Sequence, residues 1–167
     1  MKYFQQPLPG HLKPWLTHAG SFMERARQAG LHPKVQVLNE TWVSPFSCEK
    51  KLLNLSFRSV ALIREVMISS EKKPLMYART IIPIKTLSGA EKQLAHLKNR
   101  SLGSILFKDQ KLERSPFEFF VLQEGHYFYA RMNKLIDFAL PSELWARRSL
   151  FLTNKKKVLL TEVFFDL

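Results

Sequence analysis

Two hydrophobic segments of this chain each carry an ionisable residue near their centre. Arg64 lies within ALIREVMI, and Glu162 lies within LLTEVFFD. Both segments are typical of buried strands, because apolar residues dominate them. Side chains alternate between the two faces of a strand, so Arg64 shares a face with Val66 and Ile68, while Glu162 shares one with Phe164. An unpaired charge in such an apolar row is costly, and each of the two side chains therefore needs a partner.

The residues alone leave two interpretations of Arg64 and Glu162 open. In the first, the two side chains face solvent or form a plain ion pair with each other. In the second, they belong to a polar cluster inside a sheet-lined pocket that binds a small polar ligand. Arg64 would then bind a carboxylate through its guanidinium fork. Glu162 would hydrogen-bond a hydroxyl or transfer a proton.

The other reactive side chains indicate no further chemistry. The five histidines lie far apart in the sequence, and the single cysteine, Cys48, cannot build a thiolate metal site or a disulfide within the chain. No G-x-S-x-G, Walker A or G-x-G-x-x-G motif is present. We therefore expect no metal site and no cofactor. The use of one cysteine favours a reducing compartment, and we expect a cytoplasmic protein.

The charge of the chain favours an anionic partner. Lysine and arginine number 26 against 14 aspartate and glutamate residues, which gives a net charge of +12. Such an excess suits nucleic acid, an anionic surface or an anionic substrate. The basic residues are scattered and no DNA- or RNA-binding signature occurs, so we expect a small-molecule partner and no nucleic acid. No apolar run approaches the ~18 residues of a membrane span, so we expect no stable membrane insertion. We also expect a monomer.

Strand and helix patterns indicate how the two charged residues are positioned. RSVALIREVMI and LMYARTIIPI predict one hairpin, and LWARRSLFLT and KKVLLTEVFF predict a second hairpin around the lysines of NKKK. VQVLNETWV predicts another strand. SFMERARQAG and SGAEKQLAHL predict short helices, and each begins with a capping box: Ser21 with Glu24, and Ser88 with Glu91.

These elements predict a single α+β domain over residues 1–167, with residues 1–13 as a loop-like N-terminal segment. The two hairpins imply an antiparallel sheet, which we expect to contain about six strands with short helices packed over it. The segment from Asn133 to Glu143 is ambiguous, and Pro141 interrupts it.

Six motifs, taken together and in order, resemble the chorismate pyruvate-lyases, bacterial enzymes that make 4-hydroxybenzoate for ubiquinone. Across residues 14–167 the motifs are LIREVMI, ARTIIPIKTLSG, SLGSILF, ERSPFEF, LWARRSLF and LLTEVFF. The resemblance implies a chorismate lyase-like fold in which short helical flaps enclose a buried ligand pocket. It also implies the conversion of chorismate to 4-hydroxybenzoate and pyruvate, the first committed step of ubiquinone biosynthesis, without a metal or cofactor.

The resemblance also implies site residues. It makes Arg64 and Glu162 catalytic and substrate-binding, and it gives Leu102 a contact through its backbone. A further contact lies in the first helix, where the family has a methionine after the serine. Here Phe22 occupies that position and Met23 follows it, so either residue is a candidate for substrate binding.

Three further questions stay open at this level. Arg79 of ARTIIP is a candidate second anion contact, or else a structurally paired residue. The segment Phe119 to Leu144 is longer than the corresponding segment of the family. It forms either an extended hairpin or an altered flap. The alternative function is a non-catalytic sensor of small aromatic acids, because effector domains of some bacterial transcription regulators share this fold.

Overall fold

Seven β-strands form one antiparallel sheet in the computed structural model, which describes residues 7–106, 111–153 and 155–167. The strands are β1 Lys34–Val43, β2 Ala61–Ser70, β3 Lys73–Pro83, β4 Glu113–Arg114, β5 Glu118–Gln123, β6 Glu143–Thr153 and β7 Lys156–Phe164. The helices are α1 Lys13–Leu16, α2 Phe22–Gln28, α3 Ser47–Leu53, α4 Gly103–Leu106 and α5 Tyr127–Asn133, with 3-10 helices at Ile84–Thr86 and Gly89–His96. The predicted α+β class and antiparallel sheet are confirmed, with one strand more than expected.

Both predicted hairpins are present, and the sheet brings them together. The strand order is β1-β2-β3-β7-β6-β4, with β5 also paired to β6. β3 therefore separates the strands that carry Arg64 and Glu162. Arg64 pairs with Thr80 on β3, while Glu162 pairs with Ala78, two positions earlier on the same strand.

Different helices cover the two faces of the sheet. The first face carries Arg64 and Glu162 and lies beneath α1, α2, α4 and the 3-10 helix Gly89–His96. Its core residues include Phe22, Val66, Ile68, Met76, Leu94, Leu97 and Phe164. The second face lies beneath α3 and α5, and its core residues include Leu53, Ile63, Met67, Tyr77, Phe128, Met132 and Val163. Alternation along each strand thus separates two layers of packing.

The long segment from Phe119 to Leu144 belongs to the second face. It is a hairpin of β5 and β6 whose connection contains α5. Phe128 and Met132 of α5 pack against Tyr77 on the second face. The expected extended hairpin is thus present with an inserted helix, and the expected altered flap is wrong because the segment lies on the face opposite Arg64.

Several local predictions differ from the structure. Neither Ser21 nor Ser88 caps its helix through the side chain, so both capping boxes are wrong. Glu91 instead binds Lys156 of β7 at 2.5 Å, and the segment after Ser88 is a 3-10 helix. Within the loop-like N-terminal segment, residues 1–6 lie outside the described residues, as does Asn154 of the lysine turn.

Candidate active site

A cavity lies on the first face of the sheet. Its floor is apolar and consists of strand residues: Val35, Val66, Ile68, Met76, Ala78, Phe151 and Leu160. Two covering segments close it from above, one at residues 20–23 and one at residues 100–103 with Leu106. Its polar side chains on the sheet are Arg64, Thr80, Arg114 and Glu162. The covering segments begin α2 and α4, so the enclosure by short helices that the sequence implied is confirmed.

Arg64 is buried in the cavity wall with one nitrogen unsatisfied. Its Nη2 donates to the carbonyl oxygens of Lys98 at 2.6 Å and Arg100 at 3.0 Å. Its Nη1 lies 3.6 Å from a carboxylate oxygen of Glu40 and donates no hydrogen bond among the described contacts. Burial lowers the pKa of the Arg64 guanidinium, against the opposing charge of Glu40. A buried donor without a partner costs about 1–3 kcal/mol, and an anion in the cavity would remove that cost.

Glu162 is held in place by the neighbouring strand β6. Arg147 Nε donates to Oε2 at 2.6 Å, and Arg147 Nη2 donates to Oε1 at 2.9 Å. This fork-to-carboxylate geometry is strong and directional. Arg147 Nη1 also donates to three carbonyl oxygens in and after α1: Trp15 at 3.0 Å, Leu16 at 3.0 Å and His18 at 2.7 Å. Glu162 therefore presents an immobile acceptor to the cavity.

Arg114 of β4 adds a second guanidinium to the cavity wall. It donates to Ser149 Oγ at 2.9 Å and to the carbonyl oxygen of Ala19 at 2.8 Å, and its Nη2 lies 3.4 Å from Glu162 Oε2. The ring of Phe117 lies 4.1 Å from the guanidinium carbon. Burial lowers the pKa of Arg114 to about 10, against the opposing charge of Glu162.

The two interpretations of Arg64 and Glu162 can now be separated. Both side chains are buried, at 2% and 3% relative exposure, so neither faces solvent. They do not pair with each other, because Arg64 binds carbonyl oxygens while Glu162 binds Arg147 and Arg114. They line one cavity, as the pocket interpretation predicted.

Arg79 lies on the second face of the sheet, and its interpretation as an anion contact in this cavity is wrong. Its Nε donates to Glu49 at 2.8 Å, and its Nη1 donates to Glu65 at 2.8 Å. The ring of Phe46 lies 4.4 Å from the guanidinium carbon. Odd and even positions of β3 point to opposite faces, so Thr80 reaches the cavity and Arg79 does not. The alternative of a structurally paired arginine is the one observed.

The remaining predicted residues lie in the covering segments of the cavity. Phe22 and Met23 form the first turn of α2, and Leu102 directly precedes α4. The N–H groups of a first helical turn lack acceptors within the helix, and Ser21 does not cap α2 through its side chain. Sequence and structure thus bring these three residues to one cavity, while their contacts with a ligand stay predictions.

Sequence reasoning missed Arg147 and Arg114. The motif LWARRSLF contains two adjacent arginines, and the register of the β6–β7 hairpin would have identified the relevant one. Thr153 pairs with Lys156, and the same register pairs Arg147 with Glu162. Arg114 lies on a two-residue strand, which carries no periodic signal.

The described residues contain no group of three or more His, Cys, Asp or Glu side chains placed to hold a metal ion. Within the same ranges, no helix is long and apolar enough to cross a membrane. Cys48 lies on the second face, with its Sγ 2.7 Å from the hydroxyl of Tyr127.

Comparisons with known proteins agree in sequence and in fold. The family model for chorismate lyase matches residues 5–167. A probable chorismate pyruvate-lyase of Nitrosomonas europaea is 34% identical over 156 residues, covering 93% of this chain and 87% of the relative. One from Coxiella burnetii is 36% identical over 156 residues, covering 91% and 81% respectively.

Solved structures with a similar fold have much lower sequence identity. PhnF from Mycobacterium smegmatis superposes with a TM-score of 0.65 at 12% identity, covering 89% of this chain and 64% of PhnF. The effector domain of that protein gives a TM-score of 0.61 at 12% identity, covering 87% and 88% respectively. At this identity the likeness concerns the fold alone.

Proposed function

The chain belongs to the chorismate lyase family, and from that premise we propose that it is a chorismate pyruvate-lyase whose reaction takes place in the cavity between Arg64 and Glu162. The enzyme converts chorismate to 4-hydroxybenzoate and pyruvate, the first committed step of ubiquinone biosynthesis. Arg64 and Glu162 carry the reaction, with backbone contacts from Leu102 and from Phe22 or Met23.

The observation that carries the proposal is the buried Nη1 of Arg64, which has no hydrogen-bond partner among the described residues and lies in the wall of a cavity with an apolar floor. A buried guanidinium with a free donor fits a carboxylate, which accepts such bonds strongly. Arg64 and Glu162 lie two strands apart and two residues apart along the sheet, which places their Cα atoms about 12 Å apart. Both side chains extend into this gap, which suits a single ring with polar groups at opposite ends.

Chorismate carries two carboxylates, and the cavity offers a guanidinium for each. Arg64 would bind the ring carboxylate and orient the ring. Arg114 would face the carboxylate of the enolpyruvyl group, because it lies in the cavity wall beside Glu162. The net charge of +12 favours the approach of such a dianion.

The reaction is an elimination within the ring. The C–O bond of the enolpyruvyl ether breaks, a hydrogen leaves the adjacent ring carbon, and the ring becomes aromatic as 4-hydroxybenzoate. The departing enolpyruvate takes up a proton and becomes pyruvate, so atoms and electrons balance without an oxidant or a reductant. Aromatisation supplies the driving force, and the protein contributes orientation and exclusion of water.

Glu162 acts at the end of the ring where the ether breaks. Because both of its oxygens already accept hydrogen bonds from Arg147, Glu162 serves as a fixed acceptor for the hydroxyl of the product. Proton transfer by Glu162 is the competing role. The reaction needs no metal or cofactor in this scheme, and we place it in a cytoplasmic monomer without a nucleic-acid partner.

A chorismate assay on the purified protein tests the proposal. The assay follows 4-hydroxybenzoate and pyruvate together in buffer that contains a chelator. Equal amounts of the two products establish the lyase and the absence of a metal requirement. Tight binding of 4-hydroxybenzoate without turnover would favour the sensor function. Neither turnover nor binding would refute the assignment of Arg64 and Glu162.

A further inference from the structure

We propose that one end of the sheet is a docking surface for an anionic phospholipid membrane, on which the protein sits peripherally. Seven large apolar side chains are exposed within the described ranges, and five of them lie at this end. We call these five the apolar patch: Trp42, Val43, Phe57, Val60 and Ile84. Of the other two, Tyr127 on α5 packs against Phe46, and Phe138 after α5 packs against Phe165, which follows β7.

The strand register places the members of the patch together. Val43 at the end of β1 pairs with Ala61 at the start of β2, and Ala61 pairs with Pro83 at the end of β3. The loop that carries Phe57 and Val60 enters β2 at this point, and Ile84 directly follows β3. The β3–β7 pairing brings the turn between β6 and β7 to the same end of the sheet. Four chain segments therefore meet at this end.

Two members of the apolar patch are largely exposed to solvent. Phe57 is 86% exposed at the tip of its loop, and Ile84 is 64% exposed. Lys50 holds the loop from behind, because its Nζ donates to the carbonyl oxygen of Phe57 and lies 5.0 Å from the Phe57 ring. A held loop that presents an aromatic side chain to solvent indicates a contact surface.

Basic residues surround the patch. An open groove beside Val60 and Ile84 is lined by two serine hydroxyls and by lysines: Ser56, Ser59, Lys85, Lys155, Lys156 and Lys157. Arg58 and Lys85 are exposed, as is Lys155. Across residues 44–60, 83–88 and 155–157 the chain has one acidic residue, Glu49, and it is buried against Arg79. Glu91 neutralises Lys156 from outside these ranges, so Arg58, Lys85, Lys155 and Lys157 supply the positive charge. This end of the molecule is therefore both apolar and cationic.

An anionic bilayer fits this combination better than other polyanions do. Apolar side chains that enter the boundary between headgroups and acyl chains are stabilised there, and nearby cations are attracted to anionic lipids. Lysines and hydroxyls in a groove suit lipid phosphates. A nucleic acid would use the cations and leave Phe57 and Ile84 exposed, so charge alone does not explain this surface.

Sedimentation with lipid vesicles tests the proposal on the full chain. We expect binding to vesicles of phosphatidylcholine mixed with phosphatidylglycerol, weaker binding at higher salt, and little binding to phosphatidylcholine alone. Phe57→Ser should reduce the partition coefficient by about tenfold or more, and Lys85→Glu by about fivefold or more. Trp42 should shift its fluorescence to the blue on binding, and Trp42→Phe should remove that shift.

Matched variants elsewhere give the controls. Phe138→Ser alters an exposed phenylalanine outside the patch, and Lys73→Glu alters an exposed lysine at the opposite end of β3; both should bind vesicles as the wild type does. Unchanged chorismate turnover in Phe57→Ser would show that it is folded. The proposal is refuted by absent sedimentation, by equal binding to neutral vesicles or by equal losses in the controls. It is also refuted if Lys85→Glu alone acts and DNA competes, which would indicate nucleic acid instead.

Discussion

Replacing Arg64 by methionine should lower kcat/KM strongly while changing the stability of the fold very little. The Arg64 guanidinium is buried and its Nη1 donates no hydrogen bond among the described contacts, which costs about 1–3 kcal/mol. The two hydrogen bonds that it donates to Lys98 and Arg100 are each worth about 1 kcal/mol, and both acceptors belong to exposed residues that water can reach. Gains and losses nearly cancel, so we expect the unfolding free energy to change by less than about 2 kcal/mol.

The same substitution at Arg79 should have the opposite result. Arg79 lies on the second face, where Glu49 and Glu65 satisfy its guanidinium. Removing one partner from a buried ion-pair network leaves uncompensated charge and costs about 3–5 kcal/mol. Arg79 does not reach the cavity, so Arg79→Met should retain near-normal kinetics at temperatures where it remains folded.

Urea unfolding and steady-state kinetics together measure this contrast. Loss of two charge-assisted bonds to a carboxylate in Arg64→Met, at about 1.5–3 kcal/mol each, predicts a fall in kcat/KM of about 10² to 10⁴-fold, with a raised KM. Wild-type kinetics in Arg64→Met would refute the assignment of the anion site. A loss of several kcal/mol in Arg64→Met, equal to that in Arg79→Met, would refute the view that the Nη1 of Arg64 lacks a hydrogen-bond partner.

Three further predictions concern Glu162, product inhibition and His18. Glu162→Gln should lower kcat by about a hundredfold or more with a smaller change in KM, and a raised KM with unchanged kcat would show that Glu162 only binds. Added 4-hydroxybenzoate should inhibit strongly in progress curves because the cavity is enclosed, whereas Arg64→Met should be insensitive to it. Burial lowers the pKa of His18, with help from the charge of Arg25, so the unfolded chain binds this proton more readily and stability should fall as the pH drops below about 6.5. His18→Gln should flatten that part of the curve of unfolding free energy against pH. An unchanged slope would show that His18 does not cause this pH dependence.

The strands and their faces could be predicted from the sequence because their signal is local. Alternation of side chains placed Arg64 on one face with Val66 and Ile68, and all three line the cavity. The helices α3 and α5 had no comparable signal. Helices of seven residues are marginal by themselves, and contacts distant in sequence stabilise both. Glu49 of α3 binds Arg79, and Phe128 of α5 packs on Tyr77.

Local sequence patterns identified part of the candidate site. Arg64 and Glu162 were found because a charge in an apolar row needs an explanation. Arg147 sits beside a second arginine, and only the register of the β6–β7 hairpin distinguishes them. The motif does not distinguish the two alternatives for Arg79, whereas the face of β3 to which Arg79 points leads it to Glu49 and Glu65. The face of the strand to which a side chain points therefore identifies cavity residues more specifically than the motif does.

Glu65, the neighbour of Arg64, explains how the sheet can hold an arginine with an open donor. The Glu65 carboxylate is fully buried and accepts hydrogen bonds from Asn39 at 2.9 Å, Tyr77 at 2.7 Å, Arg79 at 2.8 Å and Arg131 at 2.5 Å. Burial raises the pKa of Glu65, but the hydrogen bonds from Arg131 and Tyr77 outweigh it and lower that pKa.

This network specifies the register of β2. A slip of one residue would turn Glu65 toward the cavity face and Arg64 toward the four donor side chains that now bind Glu65, two of which are arginines. Glu65 would then lose all four donors and Arg64 would lie beside like charges, which is far more costly than the single open donor of Arg64. The satisfied cluster on the second face thus keeps Arg64 directed at the cavity, so that the anion site is formed before a ligand arrives.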